Sequence, residues 1–213
     1  MNVHENVSKE ISVAAKTFLQ RLSLIIESHK GDGRGLSTEG LYRINAEVTK
    51  VQKYRLIIDQ NPNNPDVYCN QLKKEDNIHN LTGLLKSFFR EMSTNLIPND
   101  FLFVFNSIQE EHDNKKLNSD QFNKKVHKEI FSKLPELAQE LLGLLFSHLI
   151  NIVDNKENAM DQANVARIFG PTLCDIMPQD MTDHAKMQRS SVYANNLIDA
   201  MLTPAFLKLL DKK

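Results

Sequence analysis

The chain has 213 residues, 41% of them hydrophobic and 25% charged, with a formal net charge of -1. That length suits one domain with its own core, and the composition excludes a disordered chain. The near-neutral charge supplies no global field for nucleic acid or an anionic membrane, so neither is expected as a direct partner and any basic site must be local.

The two cysteines, Cys69 and Cys174, suit a reducing compartment and fit no metal or redox spacing. The first residues lack the basic region and apolar run of a signal peptide, so a cytoplasmic location is expected. The most apolar stretch, Leu141 to Val153, is interrupted by His148 and Asn151 and is expected to be too short to span a bilayer. Few glycines and prolines favour long helices.

Apolar residues at Ile11, Ala14, Ala15, Phe18, Leu22, Ile25 and Ile26 predict a helix from about Ser8 to Lys30, stopped by Gly31-Asp32-Gly33-Arg34-Gly35. This glycine run lacks the preceding strand and the lysine-serine/threonine ending of a phosphate-binding loop. Thr38 to Asn45 follows, with Arg43 near its end. A lone loop arginine is most often solvated surface. Asn45 is an expected cap for a helix over 46–60, and Asn61-Pro62-Asn63-Asn64-Pro65 is expected to open an irregular connection through Glu75.

Asp76 is expected to cap the clearest helix, to about Met92, with Ile78, Leu81, Leu85, Phe88 and Met92 forming one stripe. Lys86 and Arg90 stack one turn apart on another face, a pattern that is usually solvated. Ser93 to Pro98 reads as a turn, and further helices are expected over 101–111, from Ser119 as cap to about 133, and over 135–155. The last of these is apolar on much of its circumference and is expected to be central to the core, with His148 a packing residue. Asp161 caps a short helix to Phe169, which Gly170-Pro171 is expected to end. A polar loop over 175–188, a helix from Ser190 or Ser191 to about Leu202, and a last one from Pro204 complete the chain. The expectation is an all-α domain of eight to nine helices over residues 1–213, with no strand.

Three separated stretches are shared with a known family. Glu39-Gly40-Leu41-Tyr42-Arg43 resembles the arginine-finger loop of the Rho GTPase-activating protein (RhoGAP) domain family. Leu84-Leu85-Lys86-Ser87-Phe88-Phe89-Arg90-Glu91 resembles its central helix. Asn164-Val165-Ala166-Arg167-Ile168-Phe169-Gly170-Pro171-Thr172-Leu173 is similar to its asparagine-led block. Two departures stand out. Met92-Ser93-Thr94-Asn95-Leu96 replaces the family's proline-rich turn, which implies a less rigid connection. Asn45-Ala46 stands where a serine or glycine pair is common.

The resemblance implies a helical bundle that accelerates GTP hydrolysis by a GTP-bound Rho/Rac-type small GTPase. It implies Arg43 as a finger supplied in trans, Arg90 bracing its loop, and Lys86 contacting the loop or the GTPase. It also implies Gly40 permitting close approach, Asn164 hydrogen-bonding near the GTPase's switch region, and Pro171 fixing the exit of the helix that carries Asn164. No cofactor of its own is implied, since GTP and Mg2+ belong to the partner. Domains of this kind often sit in longer chains, beside others that recruit them to membranes. The alternative is a catalytically silent module of the same fold that binds a small GTPase or scaffold. An independent enzyme finds no support, because no nucleophile–base pair, metal cluster or cofactor loop is evident in the sequence.

Overall fold

The computed structural model describes residues 3–30, 34–176 and 183–210. Among these the chain forms ten α-helices, one more than the upper expectation, and a single isolated bridge between Ile97 and Cys174. The described chain falls into two compact units.

The first unit runs to Phe88 and takes in Asp154–Met160. Its helices are α1 (Val3–Glu27), α2 (Val48–Gln60), α3 (Pro65–Leu72) and most of α4 (Ile78–Arg90). Helix α1 ends before the expected Lys30, where Ser28 Oγ turns back to donate to the Leu24 carbonyl at 2.7 Å. The expected glycine stop lies partly outside the described residues, at Gly31–Gly33. Helix α3 was expected to be irregular chain. Pro65 instead occupies its first turn, where no N–H is needed, with Asp66 beside it at the positive end of the helix. Tyr68, Cys69 and Leu72 are buried. Phe18 of α1 packs against Tyr68 and Phe88, with ring centroids 6.0 and 5.1 Å apart.

Helix α2 starts at Val48, two residues later than expected, and its cap position is Glu47, not Asn45. The Glu47 N–H is already committed to the Asn80 side chain at 2.9 Å, which holds the chain in extended form up to that point. Helix α4 ends at Arg90, short of the expected Met92. Of the expected stripe Ile78, Leu81 and Leu85 are buried while Phe88 and Met92 are only half-buried, and Leu84 and Phe89 are buried instead. At its start Asn77, not Asp76, provides the side-chain cap, accepting from His79 N–H at 3.0 Å.

A buried carboxylate joins these pieces. Glu75, only 6% exposed, accepts a short hydrogen bond from the Tyr54 hydroxyl. It also accepts from Asn77 N–H at 3.0 Å and from the Asn80 amide at 3.2 Å. Lys50 lies 3.7 Å away, and the Glu75 carbonyl meets His29 Nε2 at 2.8 Å. Burial alone pushes the Glu75 carboxyl up. The Tyr54, Asn77 and Asn80 hydrogen bonds and the Lys50 charge outweigh it and hold the group below its ordinary value.

The second unit comprises Phe89–Val153 and the chain from Asp161 onward. It holds α5 (Asn99–Asp113), α6 (Ser119–Glu129), nearly all of α7 (Glu136–Asp154), α8 (Gln162–Leu173), α9 (His184–Met201) and α10 (Pro204–Leu210). Asn118, not Ser119, caps α6, in a reciprocal box with Gln121. Helix α7 is 19 residues long and, by length and composition, could cross a membrane, contrary to expectation. Its Leu141, Leu142, Leu145, Phe146, Leu149 and Ile152 are fully buried and His148 is 2% exposed, as in a core helix. Asp183, not Ser190 or Ser191, caps α9, its carboxylate accepting from Lys186 N–H. Residues 177–182 of the expected polar loop lie outside the described chain.

Helix α8 continues through Gly170-Pro171 to Leu173, where an end at Phe169 was expected. Pro171 lies in the last turn, so its missing N–H forfeits one bond, and Cys174 N–H then closes on the Gly170 carbonyl at 3.0 Å. The turn before α5 is held closely. Ile97 N–H donates to Leu173 at 3.0 Å, and the Asn95 and Asn99 amides donate to the carbonyls of Cys174 and Asp175 at 2.6 and 2.8 Å.

Helices α8 and α9 touch at Gly170, where a Cβ would come within 2.3 Å of Asn195 Oδ1 and 2.9 Å of its backbone nitrogen. Gly170→Ala should therefore lower stability by about 1–3 kcal/mol, read as a reduced denaturation midpoint in urea. Glu75→Gln should cost about 1–3 kcal/mol at pH 7. A depressed folded-state pKa gives stability that is present above the unfolded value of about 4.3 and lost as pH falls through the folded value. The parent should therefore lose more stability between pH 7 and pH 3 than Glu75→Gln, measured by thermal melts across that range.

Candidate functional site

The loop from Thr38 to Glu47 lies in the first unit, and its backbone is unusual. Gly40 has φ +71° and Tyr42 has φ +65°. Glycine takes the first without strain. A bulky tyrosine in the left-handed region costs on the order of 1–3 kcal/mol. Burial offsets that cost, since Leu41 and Tyr42 are both fully buried. Burial, and then the Glu27 charge, raises the Tyr42 phenol well above its ordinary pKa, so the ring sits there neutral.

Hydrogen bonds fix the turn from several directions. Gly40 N–H donates to the Asn158 carbonyl at 2.8 Å, and the N–H groups of Arg43 and Ile44 return to the Gly40 carbonyl at 2.9 and 3.0 Å. The Asn158 amide donates to the Leu36 carbonyl at 3.0 Å, while its oxygen accepts from Met160 N–H at 2.8 Å. Asn155 reaches Ser37 Oγ at 3.2 Å. The segment before α8 thus underpins the loop.

Helix α4 grips the same loop on one face. Lys86, 7% exposed, donates from Nζ to the Tyr42 carbonyl at 2.5 Å. One turn earlier, Gly83 lies against Ala46 so closely that a Cβ on it would fall 2.3 Å from the Ala46 Cβ. One turn earlier again, Asn80 accepts from Glu47 N–H. Between these holds the Arg43 side chain projects outward, 51% exposed, with Glu39 at 3.5 Å. An exposed ion pair of that length contributes about 0–1 kcal/mol and releases the guanidinium readily.

Of the six residues singled out in the sequence, Gly40, Arg43 and Lys86 therefore meet in one constellation in the first unit. Arg90, Asn164 and Pro171 belong to the second. Arg90 is exposed in the last turn of α4. Asn164 is half-buried in the first turn of α8, its N–H donating to the Asp161 carboxylate at 2.6 Å. Pro171 is exposed inside the final turn of α8 rather than beyond it. Asn80, Gly83, Tyr42 as a strained residue, and Asn158 were not anticipated. Gly83 could have been noticed as a glycine inside a strongly periodic helix, which marks a close approach. Nothing in the sequence sets Asn158 apart from its polar neighbours. Among the described residues no group of His, Cys, Asp or Glu could hold a metal ion.

A model of the RhoGAP domain matches residues 17–177. The chain is 35% identical over 157 residues to the WW domain-containing protein tag-325 of Caenorhabditis elegans, covering 73% of this chain and 17% of that protein. It is 30% identical over 172 residues to Rho GTPase-activating protein 15 of Mus musculus, covering 80% and 33%. The chain thus spans a third or less of the length of these relatives. The crystal structure of human Rho GTPase activating protein 15 superposes with a TM-score of 0.63 at 29% identity, over 85% of this chain and 79% of that one. The BH domain from GRAF, the GTPase regulator associated with focal adhesion kinase, has a TM-score of 0.65 at 23% identity, over 95% and 96%, and shows the shared fold. The chain belongs to the RhoGAP domain family, a family of GTPase activators whose partners are Rho-family GTPases.

Proposed function

We propose that this chain accelerates GTP hydrolysis by a Rho/Rac-type GTPase by inserting Arg43 into the partner's active site. The observation that carries the reading is a contrast within a few residues. The backbone on both sides of Arg43 is bonded to α4 and to Asn158, while the guanidinium is exposed.

As the γ-phosphoryl group leaves, negative charge grows on the β–γ bridging and γ oxygens. A guanidinium stays charged at any working pH, and its planar fork can donate to two oxygens at once. A finger supplied in trans raises the rate by about 10³ to 10⁵, or roughly 4–7 kcal/mol of barrier. Most of that benefit depends on position, so a rigid backbone under a free side chain is the arrangement the task needs. Ile44, next to Arg43 in the chain, and Val48 and Leu56 of α2 are 45%, 68% and 61% exposed, apolar surface that a partner could cover. By family resemblance, Asn164 hydrogen-bonds to the GTPase and Pro171 shapes the end of the helix that bears it. The nucleotide and Mg2+ arrive with the partner, the chain needs no cofactor of its own, and it acts in the cytoplasm.

Single-turnover phosphate release from GTP-loaded Rho-family GTPases tests this. Arg43→Ala should lose about 10³-fold of the acceleration while still binding the GTP-bound partner, and Arg43→Lys should recover little. Acceleration by Arg43→Ala equal to the parent's would remove the finger assignment. GTP-dependent binding by the parent with no rate change would make the chain the silent module instead.

A further inference from the structure

Asn80 is fully buried and stands between two unlike partners. Its oxygen accepts from Glu47 N–H at 2.9 Å, and its amide nitrogen donates to Glu75 Oε1 at 3.2 Å. An N–H on one side and a carboxylate on the other fix which way the amide points, and the amide satisfies both. A valine or leucine of similar size would leave the Glu47 N–H without this acceptor and Glu75 with one donor fewer. Glu75 is held in turn by the Tyr54 hydroxyl, by Asn77 N–H and by nearby Lys50.

The position of this relay matters more than its strength. Glu47 is the last residue before α2 and lies a few residues past Arg43. Lys86 holds the other side of the arginine, at Tyr42. The segment between is thus suspended from two points on one helix, and Asn80 sets the second. Releasing that point would free the chain leaving Arg43 while the entry remained tied.

We propose that Asn80, braced by Glu75 and Tyr54, is a positioning residue that sets the aim of Arg43. This rests on the reading of Arg43 as the finger. It assigns to the start of α4 and the middle of α2 a share in the rate enhancement that does not involve touching the GTPase.

The experiment is a double-mutant cycle in single-turnover phosphate release, using the Rho-family GTPase that responds most strongly to the parent. Asn80→Ala should lower the maximal rate at saturating domain by about tenfold, with the half-saturating concentration within about twofold of the parent. In an Arg43→Ala background the same change should leave the residual rate unaltered, because a mis-aimed side chain that is absent has nothing to lose. Tyr54→Phe keeps the ring and removes only the hydroxyl, so it tests the relay should Asn80→Ala fail to fold by circular dichroism. It should lower the maximal rate by about two- to threefold, again only when Arg43 is present. The proposal is overturned if these variants leave the maximal rate unchanged while Arg43→Ala abolishes it, or if they lower it equally without Arg43. An Arg43→Ala domain as active as the parent would overturn the finger reading and this proposal together.

Discussion

A buried ammonium resting on a backbone carbonyl is the contact on which the loop's shape depends. Lys86 cannot keep its charge out of water without a partner, because an unpaired buried cation is among the costliest things a protein can contain. The Tyr42 carbonyl accepts from Lys86, presented by a residue whose backbone lies in the left-handed region. Tyr42 stays there because its ring fills a fully buried place. Each of these conditions is unfavourable or neutral alone. Together they are self-consistent, and they hold the backbone next to Arg43.

The same logic explains why α4, rather than any loop, serves as the reference. A helix is stiff along its axis, and residues three or four apart fall on one side of it. Asn80, Gly83 and Lys86 use that spacing to present an acceptor, a gap and a donor to successive parts of one segment. The opposite side of the helix carries the apolar stripe that anchors it. Precision at the loop is thus borrowed from the hydrophobic core.

Much of this was readable from the chain, but unevenly. The helices with strong period, α4 and α7, stood out because their apolar residues recur every three or four positions over several turns. The family blocks stood out because they join rare combinations in a fixed order. What stayed hidden depended on tertiary surroundings. Glu75 sits in Lys73-Lys74-Glu75-Asp76, a run that looks solvated, and only the approach of Tyr54 and Asn80 buries it. Pro65 and Pro171 both looked like helix breakers, yet one sits in a first turn, where a missing donor costs little, and the other in a last turn, where it forfeits one bond. Asn118 took the cap expected of Ser119 because Gln121 could answer it three residues on. The arginine itself was legible as a loop residue. That its backbone is clamped while its side chain is exposed is a property of the folded chain.

The bond from Gly40 N–H to the Asn158 carbonyl also has a bearing on how the protein comes to be made. It closes a span of more than a hundred residues, and closing so long a span costs entropy that local contacts do not repay. As the chain emerges in order, α1 to α4 can assemble early, but the floor of the loop is absent until Asn158 has been synthesised and has folded back. The first unit is therefore discontinuous in sequence, and its most exacting piece of geometry is among the last to be completed. A nascent chain would carry Arg43 long before it could hold the backbone around it in place.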